Sequence, residues 1–158
     1  MAPADFNQLV EQFLKLNNTL AAIQKQPVNI APGTQLSTSA LHLIALIGQY
    51  PLTTVTELAQ KAGLTKGAVS QQVAKLVQAE LVQTTQVATN KKNKLLTLTA
   101  PGQAINRAHT QLHAPLYVSV QATLDSFSPA QQQALLQMID QVTTSVIDYQ
   151  HTLTKGDD

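Results

Sequence analysis

Two histidines in this chain have a spacing that could hold a metal ion. His109 and His113 are four residues apart, so a helix would carry both imidazole rings on one face. Such a pair can bind one divalent metal, and the alternative is a solvated pair that binds nothing. His42 stands in the apolar run 40–47, where it is the one ionisable residue. These histidines are therefore the first candidates for a binding site.

A second group of polar residues follows a turn between two predicted helices. Thr54 and Glu57 form the capping-box pattern that begins a helix, and Gly63 is the type of residue that ends one. Thr65 is placed to cap the next helix, over residues 66–79. The segment therefore predicts a helix-turn-helix motif.

The second helix of this motif has an apolar side and a polar side. We predict that Leu64 and Val69 fill the corner between the helices and that the apolar side is buried. The apolar side consists of Val69, Val73, Leu76 and Val77. The polar side is predicted to contact DNA, through Thr65, Lys66, Gly67, Ser70, Gln71 and Lys75. Glutamine can pair with adenine, lysine with guanine or phosphate, and serine with either. The alternative is a generic helical hairpin.

A lysine-bearing hairpin is predicted directly after this motif. Residues 82–87 and 96–99 alternate with a period of two, which is typical of strands, and the polar connection 88–94 joins them. In a hairpin beside a helix-turn-helix, lysines are suited to phosphate contacts. These candidates are Lys91, Lys92 and Lys94.

The charge of the chain is unevenly distributed. Residues 51–100 hold six lysines against two glutamates, a net charge of +4, and the remainder holds four basic against seven acidic residues, a net charge of −3. A polyanionic partner would therefore meet the middle of the chain. The alternative is that the lysines only form a solvated face.

Composition excludes several classes of function. The chain has no cysteine, which rules out disulfides, thiolate nucleophiles and cysteine-ligated metals. Aromatic residues make up 4%, too few for a stacking platform. The sequence motifs of hydrolases, phosphate-binding loops and zinc proteases are missing, so we expect no enzyme. Without a leader or a long apolar run, we expect a cytoplasmic protein with one domain.

The remaining segments predict long helices. One is expected over residues 5–25, followed by a loop over 28–35 and a buried helix over 39–48. Another should run to about residue 124, with a kink expected at Pro115 because the proline ring removes a donor and crowds the preceding turn. The last helix carries apolar residues at heptad spacing, which favours a dimer seam. The seam consists of Leu135, Ile139, Val142, Val146, Tyr149 and Leu153.

This order of elements resembles the MarR family of bacterial transcription regulators. The resemblance rests on the run from Glu57 to Leu76 and on the Leu-Thr-Leu-Thr-x-x-Gly segment that ends at Gly102. It implies a mainly α fold with a small β-hairpin wing, in one domain over 1–158. Residues 1–36 and 101–158 would form the body of a homodimer, and 37–100 the winged helix-turn-helix lobe that reads a palindrome.

The histidines are also similar to those of the zinc-responsive branch of that family. The resemblance implies one zinc site formed by His42, His109 and His113, with Gln24 where the branch has a glutamate. A second metal site of the branch has no counterpart, because Ile30 and Leu41 stand at its positions.

The resulting hypothesis is a DNA-binding transcriptional repressor whose affinity for DNA is modulated by zinc. Three alternatives stay open at this point. The effector is a small phenol or organic anion in a cleft, contacted by the same histidines or by Tyr50; or there is no effector; or the chain is an interaction module that does not bind DNA.

Overall fold

Helices account for most of the chain. The computed structural model describes residues 6–24, 26–87 and 90–154. The elements are α1 (Phe6–Gln24), β1 (Pro27–Ala31), β2 (Thr34–Ser37), α2 (Thr38–Gln49), α3 (Val55–Ala62), α4 (Lys66–Gln78), β3 (Val82–Val87), β4 (Asn90–Leu98), α5 (Ala100–Asp125) and α6 (Pro129–Thr154). The predicted fold class, mainly α with a β-hairpin wing, is confirmed.

The chain divides into two compact units. The first, Met1–Leu112, holds α1 to α4, both hairpins and the first half of α5, and the second, His113–Asp158, holds the rest of α5 and all of α6. Helix α5 is continuous across this boundary.

Helices α3 and α4 begin and end where the sequence predicts. The Glu57 amide donates to the Thr54 hydroxyl at 3.2 Å, and the Glu57 carboxylate accepts from the Thr54 amide at 2.8 Å. Hydrogen bonds from the Thr54 backbone, and then from its side chain, hold the pKa of Glu57 below its ordinary value. Gly63 has a φ of 64°, which ends α3 in the left-handed conformation. The helix-turn-helix prediction is therefore confirmed.

The core of the first unit is built around α2. Leu43, Ile44 and Ile47 of this helix are fully buried among Leu58 of α3 and Val69 of α4. Burial of these apolar side chains supplies the main driving force for folding. The sequence predicts a buried helix over residues 39–48, and the apolar side chains of α2 do form the centre of the unit.

Two apolar residues of the helix-turn-helix are more exposed than expected. Leu64, predicted to fill the corner, is 43% exposed, and Val77, predicted to be buried, is 37% exposed. Val69, the other residue predicted to fill the corner, is fully buried, as is Leu58. Val77 lies one position past Leu76, and a step of about 100° along the helix turns it away from the core.

A hairpin replaces the predicted loop between α1 and α2. Strands β1 and β2 pair in an antiparallel register, Val28 opposite Leu36, around a turn in which Gly33 has a φ of 72°. Val28 and Leu36 pack against the core of the first unit, together with Ile30. The loop prediction was wrong because the strands are short and most of their stabilisation comes from this packing.

The predicted wing is present, and its second strand is longer than expected. Strand β4 begins at Asn90, whereas the sequence suggested a polar connection up to residue 94. Leu96 is buried and exchanges hydrogen bonds with the segment before α3, its carbonyl accepting from Leu52 and its amide donating to Thr53. Lysine has a low propensity for strands, so the sequence of this part of β4 does not predict a strand. Pairing with β3 forms the strand there nevertheless.

Helix α5 continues through Pro115 without interruption. A kink at this position, where the ring removes a donor and crowds the preceding turn, stays a prediction. In the second unit, the Ser128 hydroxyl and the Gln131 side chain form a capping box at the start of α6. Gln132 then donates to the carbonyls of Leu124 and Phe127, which ties α6 to the end of α5.

At Gly102 the backbone of α5 lies very close to the backbone of Leu81. A side-chain carbon at this position would collide with the Leu81 carbonyl group, where α5 crosses the start of the wing. Only glycine allows this approach, which explains the glycine at the end of the wing motif.

We expect Gly102→Ala to lower the free energy of unfolding by about 2–3 kcal/mol, because a backbone group cannot move aside cheaply. Gly67→Ala is the matched control: nothing lies within 4 Å of its added carbon, and the change should stabilise by about 0.5 kcal/mol. Urea denaturation at one fixed protein concentration measures both. Equal stability of the two variants would contradict this account.

Candidate functional site

Helix α4 presents a polar face held by a buried one. Val69, Val73 and Leu76 are buried and fix the helix on the core of the first unit. All six predicted contact residues of this region are exposed, namely Thr65, Lys66, Gly67, Ser70, Gln71 and Lys75. The Thr65 hydroxyl accepts from the Ala68 amide at 3.3 Å, so it also caps the helix.

The chemistry of this face is amide, hydroxyl and ammonium. Helix α4 contains no acidic residue, so no carboxylate of its own would repel a phosphate. Ser70 and Gln71 are adjacent and offer both donors and acceptors, which are the groups that read base edges. Lys66 at the start of the helix and Lys75 near its end add positive charge on either side of them.

Gln72 is a residue of this helix that sequence analysis missed. It is half-buried, and its Oε1 atom is buried without a hydrogen bond to any residue in the described ranges. In the sequence it is one of two neighbouring glutamines, Gln71 and Gln72, and only the helix orientation separates an exposed amide from a buried one.

The wing places a further lysine in solvent. Lys94 lies opposite Gln86 in the register of β3 and β4 and is exposed. The side chains of Lys91 and Lys92 lie outside the described part of the structure, as do residues 88 and 89. Contacts of all three lysines with DNA stay predictions.

Three histidines come together although α2 and α5 are distant in sequence. The rings of His42 on α2 and His109 on α5 meet edge to face, with centroids 5.5 Å apart. His113 follows His109 by one turn of α5. Each of the three offers one ring nitrogen, and these nitrogens lie within 4.8 Å of one another. His109 is 4% exposed, whereas His42 is open to solvent.

The donor set suits zinc. Zinc holds imidazole nitrogens at about 2.0–2.1 Å in a tetrahedron, which puts the nitrogens about 3.3 Å apart. The three ring nitrogens of the protein lie within 4.8 Å of one another. Their separations therefore exceed the separation in a zinc site by about 1.5 Å at most. Gln24, the expected fourth ligand, is the last residue of α1 and is exposed. Metal binding by these four residues stays a prediction.

Two aromatic contacts near the candidate residues could not be read from the sequence. The Tyr117 ring stacks on His113 with centroids 5.6 Å apart and an angle of 20° between planes. The Lys61 ammonium lies 3.8 Å from the centroid of the Tyr50 ring, a cation–π contact between α3 and the end of α2. His113 and Tyr117 are four residues apart on α5. Side chains at this spacing can also adopt rotamers in which the rings do not stack, so the spacing alone does not predict the contact.

Comparison with known proteins identifies the family. The sequence profile of the MarR family matches residues 36–94, the segment from β2 to the middle of β4. The HTH-type transcriptional regulator PchR of Bacillus subtilis is 32% identical over 108 residues, which are 68% of this chain and 64% of PchR. The profile match assigns residues 36–94 to the MarR family. The chain spans 64% of the length of this relative, somewhat less than two thirds.

Solved structures of the MarR type share the fold. FabT of Streptococcus pneumoniae, in complex with DNA, superposes with a TM-score of 0.65 at 20% identity, covering 92% of this chain and 99% of FabT. ZitR of Lactococcus lactis, a zinc-responsive MarR family member, superposes with a TM-score of 0.62 at 18% identity, covering 90% of this chain and 99% of ZitR.

The MarR relative by sequence is a transcriptional regulator, which agrees with the expectation that the chain is not an enzyme. No helix in the described ranges is long and apolar enough to span a membrane. Ile30 packs against the core and Leu41 is buried in it. Neither side chain has an atom that could bind a metal.

Proposed function

We propose that this chain is a sequence-specific double-stranded-DNA-binding transcriptional repressor that acts as a homodimer. The observation that carries the proposal is the exposed polar face of α4, anchored by buried valines next to a lysine-bearing hairpin. In winged helix-turn-helix proteins this helix enters the major groove. A dimer bound across a palindrome would repress by occupying DNA that the transcription machinery needs.

The roles of the side chains follow from their chemistry. Lys66, Ser70 and Gln71 would touch base edges, because they lie at the start of the helix that enters the groove. The lysines of the wing would touch phosphates, where lysine acts as a point charge without the planar fork of arginine. The family usually has an Asp-x-Arg element at the wing tip, and this chain has Asn90-Lys91-Lys92-Asn93-Lys94 instead. The wing would therefore add affinity more than shape readout.

Substitutions in the wing and in α4 should separate phosphate contacts from base readout. Changing Lys91, Lys92 and Lys94 together to alanine should weaken binding alike on all duplexes and lower the salt slope by about 2–3 units, because each phosphate contact releases about one counterion. Gln71→Ala should instead relax specificity at one position of each half-site by about 1–3 kcal/mol.

Titration of the operator and of an unrelated duplex at several salt concentrations measures both effects. Lys15→Ala, on α1, is the control for removing a lysine elsewhere. An unchanged slope in the triple variant would remove the wing from the interface, and unchanged specificity in Gln71→Ala would remove that residue from base readout.

The dimer proposal rests on apolar side chains that one subunit does not cover. Six large apolar residues of α6 are at least 45% exposed within the chain, namely Leu136, Ile139, Val146, Ile147, Tyr149 and Leu153. On α1, Phe6 is 76% and Leu14 57% exposed. Exposed apolar side chains in this number are typical of helices that pack against a partner. We infer that residues 1–36 and 101–158 supply the dimer body and 37–100 the DNA-binding lobe, in one domain of 158 residues.

We expect Ile139→Asp to produce monomers at micromolar concentration, because a charge would be buried in the seam without a partner. Gln137→Asp changes charge on the same helix, away from the heptad positions, and should leave the dimer intact. Sedimentation velocity of both variants distinguishes the two results. A wild-type protein that sediments as a folded monomer would contradict the dimer.

For the effector we propose zinc, held by His42, His109 and His113, with Gln24 or water as the fourth ligand. The support is the convergence of three neutral nitrogen donors from two helices. Bound zinc would tie α2 to α5 and favour one arrangement of these helices. Zinc can change the affinity for DNA only if it binds one arrangement of α2 and α5 more tightly than another. A small phenol or organic anion is the alternative effector.

His109→Ala should weaken zinc binding by more than about 100-fold and abolish the effect of zinc on operator affinity. His151→Ala, on α6, is the matched control and should change neither. Binding should fade below about pH 6, since protonated imidazole cannot coordinate a metal. Elemental analysis and a zinc titration with a competing chelator give the stoichiometry, expected to be one per subunit. Operator affinity that does not respond to zinc would favour the organic effector.

A further inference from the structure

A lysine outside the predicted DNA contacts is held in place beside the turn of the helix-turn-helix. Lys61 lies in the last turn of α3 and is exposed. Its ammonium nitrogen lies 3.8 Å from the centroid of the Tyr50 ring, within the range of a cation–π contact. A lysine on a protein surface ordinarily samples many rotamers, so this contact restricts where the charge can go.

Both partners of this contact are attached to a fixed backbone. Tyr50 directly follows α2, and its amide donates to the Leu46 carbonyl at 2.8 Å. Pro51 comes next and restricts the backbone of Tyr50 further. On the other side of the contact, burial of Leu58 and Ala59 fixes α3 on the core of the first unit. The ring and the ammonium are therefore held by the same core that positions α4.

The carboxylate of α3 is engaged at the other end of the helix. The Oε2 atom of Glu57 accepts hydrogen bonds from the Thr54 amide at 2.8 Å and from the Thr54 hydroxyl at 2.9 Å. These hydrogen bonds are the main cause of the lowered pKa of Glu57, and the charge of Lys61 is a smaller one. Glu57 thus stays committed to capping α3. The Lys61 ammonium lies on an uncharged ring, which leaves its charge available to an anionic partner.

The position of Lys61 in the motif is next to the predicted DNA contacts. Lys61 stands two residues before Gly63, where α3 ends, and four residues before Thr65, which caps α4. In helix-turn-helix proteins the first helix crosses the DNA backbone while the second enters the major groove. A cation near the end of the first helix is therefore suited to a phosphate at the edge of the groove.

We propose that Lys61 is a further phosphate contact of this protein and that Tyr50 positions its ammonium for that contact. This inference rests on the proposed DNA binding and adds two residues to it. The ammonium has three donors, and the ring covers one side of it, which leaves N–H groups for a phosphate oxygen. Holding the lysine in advance removes part of the entropy cost of the contact, so the ring should raise affinity without adding charge.

Removal of the charge tests the phosphate contact. Two duplexes of about 30 base pairs, long enough for two half-sites, serve as probes: one enriched from a random-sequence pool by the wild type and one of unrelated sequence. Lys61→Gln should weaken binding to both duplexes and lower the salt slope by about one unit for each bound subunit, since each phosphate contact releases about one counterion. Lys15→Gln, on α1, is the control and should leave the slope unchanged. An unchanged slope in Lys61→Gln would overturn the proposal.

Removal of the ring tests the positioning role of Tyr50. Tyr50→Leu keeps the charge of Lys61, so it should weaken binding about two- to fivefold, as expected for an exposed cation–π contact, while the slope changes by much less than one unit. Tyr50→Phe keeps the ring and should bind like the wild type. In a Lys61→Gln background, Tyr50→Leu should cause no further loss, because the ring acts only through the lysine. An equal loss in both backgrounds would show a merely structural role and overturn the positioning by Tyr50.

The contact can also be observed in the free protein by NMR. The ring current of Tyr50 should shift the methylene protons of Lys61 next to the ammonium upfield, in the wild type and in Tyr50→Phe but not in Tyr50→Leu. A wild type without this shift would contradict the positioning. A wild type that binds both duplexes alike would contradict the sequence-specific repressor, whereas the salt slope of Lys61→Gln would still decide the role of the lysine. A wild type that binds neither duplex would contradict both.

Discussion

Burial of the apolar side chains of α2 is the constraint on which the rest of the first unit depends. Leu41, Leu43, Ile44 and Ile47 are all buried, and the helix packs against α1, β2, α3, α4 and β4. The helix-turn-helix is held in place because Leu58 and Val69 insert into this cluster. Loss of this packing would release the recognition helix and the wing together.

The same helix links the core to the candidate sites. Its exposed side carries His42 beside the His109 ring. Zinc bound as proposed would therefore act on a helix that packs against α4.

Low charge shapes the proposed recognition of DNA. Only 12% of the residues are charged, and polar surface comes mainly from amide and hydroxyl groups. Helix α4 follows this composition, with Ser70 and Gln71 between two lysines. A protein with few lysines on its DNA-binding face would make few phosphate contacts, and the part of its affinity that does not depend on sequence would be small. Discrimination between DNA sequences would then rest on hydrogen bonds to base edges.

The features that the sequence by itself determined are local. The capping boxes at Thr54 and Ser128, the end of α3 at Gly63 and the period-two strand of the wing each depend on a few neighbouring residues. Residue types could therefore predict the helix-turn-helix, the wing and the pairing of His109 with His113 on one face. The exposed polar face of α4 followed from the same periodicity, except at Leu64 and Val77.

Tertiary structure decided what depends on contacts between segments distant in the chain. The β1–β2 hairpin forms because Val28, Ile30 and Leu36 find a core to pack against. His42 reaches His109 because α2 and the first half of α5 belong to one unit. Local propensity carries no information on such distances, since they are set by how complete side chains fill a shared interior.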